Sequence, residues 1–358
     1  MKKNTKKQIL NIIFVIFLVA ITLVVLLNSN KELNFKSLST FFNECNYFYL
    51  IAAFGCMIGF VLFEALSIHI ILKKLGSKPK VVSSIAYSTS DVYYSAITPS
   101  ASGGQPASAY YMVRDGVSGG VAGFSLIFNL VGYTLAILII GAGAFILRGE
   151  MFFEFSTFSK VLIVFGVVAQ IFLLAFFIGC MMWHEKVLSF SKFIVGFFNK
   201  IHIIKNKEKW IARVERAVDK YKGCYEDFKK HKVTLVWVIL CNVAQLLSQI
   251  MISVLVCKSV INCSVVDVLA LQAFVLVGYN SIPLPGGIGA YEYLYLNIYG
   301  IMFTDAFIVV SMMVTRTISY YISMILCGGY TITYHLLGKR KAIKSEEEIL
   351  EQVQESLK

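Results

Sequence analysis

Ser281-Ile282-Pro283-Leu284-Pro285-Gly286-Gly287-Ile288-Gly289-Ala290-Tyr291-Glu292 is the stretch on which the fold of this chain turns. Its prolines and glycines cannot continue a helix. Yet it sits between an apolar arm, Val265 to Asn280, and a tyrosine-rich run ending at Met302. At about 1.5 Å per residue, neither arm comfortably crosses about 30 Å of hydrocarbon. The segment 264–302 therefore predicts a re-entrant hairpin.

A second segment of the same kind lies at 82–116. An arm rich in Ser, Thr and Tyr reaches Ile97, and Thr98-Pro99-Ser100-Ala101-Ser102-Gly103-Gly104-Gln105-Pro106 follows. A short run then ends at Arg114-Asp115-Gly116. Four of the five prolines, at 99, 106, 283 and 285, fall at these two tips, which marks both as built helix breaks. Non-helical backbone at membrane depth is tolerated only where protein or trapped water satisfies its N–H and C=O groups, so both tips should point into the middle of the molecule.

Apolar stretches long enough to span a bilayer lie at 10–27, 47–72, 119–147, 158–183, 233–257 and 303–337. Lysines before the first (Lys2, Lys3, Lys6, Lys7), after the second (Lys73, Lys74, Lys78, Lys80) and after the last (Lys339, Lys341, Lys344, with Arg340) place those flanks in the cytoplasm. The basic segment 185–232 belongs on the same side. The first hairpin then enters from the cytoplasm and the second from outside. The predicted fold class is an all-α polytopic membrane protein of about six transmembrane helices and two oppositely oriented re-entrant hairpins, an inverted repeat. Residues 1–338 form the membrane domain and 339–358 a cytoplasmic tail. The expected location is the cell membrane, with both termini cytoplasmic.

Composition agrees. At 57% hydrophobic and 15% charged, with a mean hydropathy of +0.72, the chain is too apolar for a soluble domain of its 358 residues. The net charge of +12 sits beside apolar runs and forms no basic face with interleaved aromatics, which argues against nucleic acid. The run Leu10–Leu27 lacks a small-x-small cleavage pattern, so a removed leader is not expected. Eight scattered cysteines show no CxxC pair, and the histidines have no metal-ligand spacing, so neither metal nor cofactor is expected. Gly286-Gly287-x-Gly289 follows no strand and leads to no GK[ST], which excludes a nucleotide loop. Gly119 and Gly123 form a GxxxG expected to pack helices closely. Phe190, Phe193, Ile194, Phe197, Phe198, Ile201 and Ile204 suit an amphipathic helix on the inner leaflet. Leu350, Val353 and Leu357 align on a short tail helix to which no function attaches.

Thr98-Pro99 through Gly103-Gly104-Gln105-Pro106, Arg114, the motif Pro283 to Glu292 and Arg316 in the following helix together resemble the lysylphosphatidylglycerol synthase transmembrane, or flippase-like, family. The resemblance covers roughly residues 8–338, and the second motif is the more specific. In that family the membrane unit also occurs fused to a soluble aminoacyltransferase domain, in the multiple peptide resistance factor. There it is taken to move the aminoacylated lipid between leaflets. The resemblance thus implies lipid translocation, and association with phosphatidylglycerol lysyltransferase and cationic peptide resistance. Only a basic stub and an acidic tail follow Leu337. The chain is therefore not expected to make the lipid itself. Gln105 stands where the family often has a charged residue.

An ionisable group inside a bilayer costs roughly 2.5 to 3.5 kcal/mol even on lenient scales, so each needs a reason. Arg114 reads as snorkelling to the cytoplasmic surface. Arg316 and Glu292 read as site residues, the alternative being a structural ion pair. Arg316 and the amides of Gly286, Gly287, Gly103 and Gly104 are expected to hold a lipid phosphate. Pro283, Pro285, Gly289, Pro99 and Gln105, which shape the tips, complete the expected headgroup-binding set. Glu292, Glu64 and Asp91 would face an amino-bearing headgroup or carry a proton. Asn242, Gln245, Gln249 and Ser253 share one helix face, lining an interior path or gluing the bundle by interhelical hydrogen bonds.

The expected partners are membrane lipids, anionic or aminoacylated, together with a separate lipid-modifying enzyme and a second copy of the chain. A lysyltransferase, a small-solute transporter and a membrane scaffold are the rival readings.

Overall fold

A computed structural model describes residues 35–98, 101–200, 207–229 and 231–338. The expected span at 10–27, Pro99 and the tail 339–358 lie outside the described residues, as does the Pro285 side chain. All regular structure among the described residues is helical.

A short helix α1 (Phe35–Glu44) precedes the first long span, α2 (Tyr47–Lys74). The first hairpin follows as α3 (Val81–Ile97) and α4 (Gly104–Arg114). Two more spans, α5 (Gly119–Glu154) and α6 (Thr157–Met182), lead to a pair of helices, α7 (His184–Lys200) and α8 (Lys207–Lys229). Span α9 (Lys232–Lys258) opens the second half, followed by the second hairpin, α10 (Val265–Asn280) and α11 (Ala290–Tyr299). A 3₁₀ turn at Pro285–Gly287 joins its arms. The last span, α12, runs from Asp305 to Gly338, and its segment Thr317–Ile322 is wound as a π-helix. Among the described residues, five helices are thus long and apolar enough to cross a membrane, and all coincide with sequence-expected spans. This is a multi-pass membrane protein.

Local chemistry sets the boundaries. Asn46, Ser156 and Ser264 stand at the N-termini of α2, α6 and α10, and their side chains accept from Phe48, Ser159 and Asp267 amides. Helix α6 exposes Val164, Phe165, Val168, Ile171 and Phe172, as a helix does whose solvent is lipid.

Helices α2 and α9 form the central pair and run antiparallel. The Asn46 amide donates to the Ser259 carbonyl at 2.7 Å at one end. Farther along, Gln245 Nε2 reaches Glu64 at 3.4 Å, and Asn242 Nδ2 reaches Ser67 at 3.4 Å. One hairpin leaves the C-terminal end of α2 and the other the C-terminal end of α9, so the two begin at opposite ends of the molecule. Their tips meet. The Tyr320 hydroxyl of α12 donates to the Ala96 carbonyl of α3 at 2.9 Å, while a Cβ built on Gly286 would stand 2.3 Å from the Tyr320 ring. The order of long span, longer arm, Pro/Gly tip and shorter arm occurs twice, with arms of 17 and 11 residues, then 16 and 10.

Two details depart from the sequence reading. Gly119 and Gly123 have nothing within 4 Å of an added Cβ, whereas one on Gly120 would stand 2.2 Å from the Ala217 carbonyl oxygen. The close approach is thus between α5 and α8, one residue away from the motif. The basic segment is also a helical pair. Helix α8 docks on α5, with Phe228 packed on Phe128 at 4.6 Å between ring centroids, and Lys192 of α7 pairs with Glu215 of α8 at 2.6 Å. Phe190 and Phe193 of α7 remain exposed. Burial against α5 pushes the Cys224 thiol up, so it stays protonated and unreactive.

Candidate functional site

Where the hairpin tips converge they enclose a cavity of about 500 Å³, walled by both hairpins and by α2, α5, α6, α9 and α12. At this size it suits a polar headgroup and not a whole lipid. Among the described residues on its wall there is one cation, Arg316, and there are two carboxylic acids, Glu64 and Asp91.

Arg316 is buried and held from four directions. Its Nη2 donates to the Gly286 carbonyl, and its guanidinium lies 4.5 Å from the ring centroids of both Tyr291 and Tyr320. Its Nε stands 3.2 Å from Glu292 Oε1. That last contact is an ion pair and not an aligned hydrogen bond, so the Nε donor and the Oε1 acceptor both keep capacity for another partner. Glu292 also closes the tip, because its Oε2 accepts from the Gly289 amide at 2.6 Å, capping the start of α11 from its third helical position. Directly after Arg316, the π-helical turn adds a residue to the helix and turns Tyr320 toward the first hairpin.

The tip backbone is less free than an anion cradle requires. The Gly103 amide donates to Thr98 Oγ1 at 2.9 Å, the Gly287 amide to the Leu284 carbonyl at 3.0 Å, and the Gly289 amide to Glu292. The Arg316 guanidinium is thus the charged donor set that the tips present to the cavity. Gly286, at φ +57°, occupies a conformation that favours glycine.

The carboxyl end is assembled from four helices. Glu64 of α2 accepts from Ser88 of α3 at 3.0 Å and from Gln245 of α9 at 3.4 Å. Asp91 of α3 accepts from Ser95 at 3.0 Å and from Gln105 of α4 at 2.6 Å. The two carboxyl groups lie within interaction range of each other. Gly104 permits this packing, since a Cβ there would stand 1.8 Å from Asp91 Oδ1.

The sequence-derived candidates thus divide. Arg316, Glu64, Asp91, Gln105, Pro283, Gly286 and Gly287 line the cavity. Glu292, Gly289, Gly103 and Gly104 stand behind it and position those that do. The polar stripe of α9 also splits. Gln245 and Gln249 line the cavity, whereas Asn242 is bound into a buried cluster, donating to Asn129 Oδ1 at 3.2 Å and to the Val238 carbonyl at 2.8 Å. Ser253 is fully buried away from the wall. Arg114 sits between the Tyr111 and Tyr334 rings, 4.8 Å from each centroid, far from the tips in sequence and bound to neither.

Several lining residues escaped sequence reasoning: Tyr133, Gln170, Tyr279 and Tyr320. Tyr133 donates to Asn280 at 3.3 Å, and Gln170 donates to Ser281 at 3.0 Å. Gln170 carried a signal, as the one amide in an otherwise apolar span. The tyrosines carried none, because the chain's 19 tyrosines recur in spans and hairpins alike.

The family model described as lysylphosphatidylglycerol synthase TM region matches residues 9–327 of the chain. No curated protein matches it.

Proposed function

This chain belongs to the lysylphosphatidylglycerol synthase TM region family, and from that premise we propose that it is a lipid translocator. It moves a phosphate-bearing, aminoacylated lipid such as lysylphosphatidylglycerol between leaflets. The headgroup crosses through the cavity at the hairpin tips while the acyl chains stay in the bilayer, the hairpins being re-entrant from opposite faces.

One observation carries this reading: a single buried arginine and two buried carboxyls share a cavity built from the meeting of two opposed broken elements. Arg316 presents a planar, permanently charged donor set for phosphate, and the Glu64–Asp91 end presents acceptors for an amine. Glu292 holds Arg316 in place without closing off its cavity side. A purely anionic solute would leave the carboxyl end unmatched, and an uncharged one both ends.

Purified protein in liposomes, offered fluorescent aminoacylated, anionic and glycosylated phospholipids, tests the proposal. Aminoacylated phosphatidylglycerol should be moved fastest, and Arg316→Ala should abolish that transfer in protein that still inserts and folds. Transfer of none of the lipids, or normal transfer by the folded variant, overturns the assignment.

A further inference from the structure

We infer that Glu64 and Asp91 are a proton-exchange site, at which the pair gives up one proton as the headgroup ammonium enters and regains one as it leaves. The inference rests on the translocator reading and adds to it an energy source.

The two acids are 5% and 8% exposed. Among the described residues, no Lys, Arg or His lies within ion-pair distance of either. What faces them is polar but uncharged. Ser88 and Ser95 come from α3, Gln105 from α4 and Gln245 from α9. Tyr133 approaches from α5 and Cys327 from α12, both close enough to feel the pair's charge. Arg316 lines the same cavity but is already matched by Glu292. Two adjacent buried carboxylates without a cation cannot both stay ionised, so the empty site holds a proton between them.

A second observation indicates what displaces that proton. Gln245 is 2% exposed, and its Oε1 has no hydrogen-bond donor, although its Nε2 reaches Glu64. Gln105 Oε1, beside Asp91, is likewise unmatched. A buried amide oxygen without a donor is costly to maintain. Both residues line the cavity beside the carboxyls, so their unmatched oxygens mark a shortage of donors at that end. A primary ammonium brings three. The charge also closes: one carboxylate and one carboxylic acid carry −1, and two carboxylates with a lysyl headgroup, whose two ammoniums and one phosphate sum to +1, also carry −1. Exchanging one proton for one such headgroup therefore leaves the buried charge unchanged, whereas either step alone alters it by a full unit in a low-dielectric site. Headgroup and proton then move in opposite directions, and acid on the receiving side drives delivery.

The test uses the full-length protein in liposomes with lysylphosphatidylglycerol carrying a fluorescent acyl chain, and with its Nα,Nε-diacetylated counterpart as the probe without ammonium charge. Acid on the receiving side should raise accumulation of the lysyl lipid several-fold over the reversed gradient and leave the acetylated probe unaffected. Glu64→Gln and Asp91→Asn should remove the gradient response. Should those variants fail to fold, the unaltered protein in weakly buffered micelles decides, since a short-chain lysylphosphatidylglycerol should release about one proton per headgroup bound. Binding without proton release, or transport indifferent to the gradient, overturns the exchange and leaves translocation standing. No transport in the unaltered protein overturns translocation itself, and the exchange with it.

Discussion

Glu292 divides its carboxylate between two partners: one oxygen accepts from the Gly289 amide at 2.6 Å, and the other stands 3.2 Å from Arg316 Nε. One side chain therefore both caps α11 and neutralises the buried cation. The two duties separate by substitution. Glu292→Gln keeps an acceptor at the third helical position and so keeps the bond from the Gly289 amide, but it leaves Arg316 without its counter-charge. Glu292→Ala loses both, and removing one partner of a buried ion pair costs roughly 3 kcal/mol. Thermal unfolding in micelles should rank unaltered protein above Glu292→Gln and Glu292→Ala lowest. Equal midpoints for the two variants would show that the cap contributes nothing.

Gly104 gives a steric prediction with its own control. Its absent Cβ would fall 1.8 Å from Asp91 Oδ1 and 2.7 Å from the Asp91 carbonyl oxygen, and the backbone atom cannot swing away. Gly104→Ala should destabilise by about 1–3 kcal/mol and displace Asp91 from the cavity wall. Gly123 has open space around it inside α5, so Gly123→Ala should be neutral or stabilising by about 0.5–1 kcal/mol. A Gly104→Ala protein as stable as the Gly123→Ala one would contradict the packing of the first tip.

The contrast between these two glycines illustrates what a sequence can disclose. Spans and hairpin tips are legible because lipid imposes a length on apolar runs, and because proline and glycine break helices wherever they stand. That the two hairpins begin at opposite ends of the molecule agrees with the lysine bias. Which glycine touches a neighbour was not: Gly120, outside the GxxxG spacing, takes the close contact because α8 crosses α5 there. Nor was the split of the α9 stripe. Asn242 and Gln245 share a helix face, but Asn129 and Ser67 sit opposite the first and Glu64 opposite the second. Periodicity assigns a face and leaves its partners to tertiary structure.

Tyr320 ties the two tips together, through its hydroxyl on Ala96 and its ring against Gly286. Tyr320→Phe removes one hydrogen bond, worth about 1 kcal/mol, and keeps the ring beside Arg316. Gly286→Ala meets both a φ of +57° and the Tyr320 ring at 2.3 Å, so it should be the more damaging of the two. Hydrogen exchange at the end of α3 should rise modestly for Tyr320→Phe and strongly for Gly286→Ala. The reverse order would mean that the tips are held together elsewhere.

The α9 stripe supplies a test of the cavity that does not depend on knowing the lipid. Gln245 and Gln249 line its wall, while Asn242 is engaged by Asn129 and Val238, and Ser253 is fully buried. In a background without reactive native thiols, cysteines at 245 and 249 should react with a small water-soluble thiol reagent, and those at 242 and 253 should resist it. Lipid bearing the transported headgroup should slow the first two and leave the others unchanged, because only they share the space the headgroup enters. Uniform protection along all four positions would mean that the face only holds helices together, and that the cavity is closed to water.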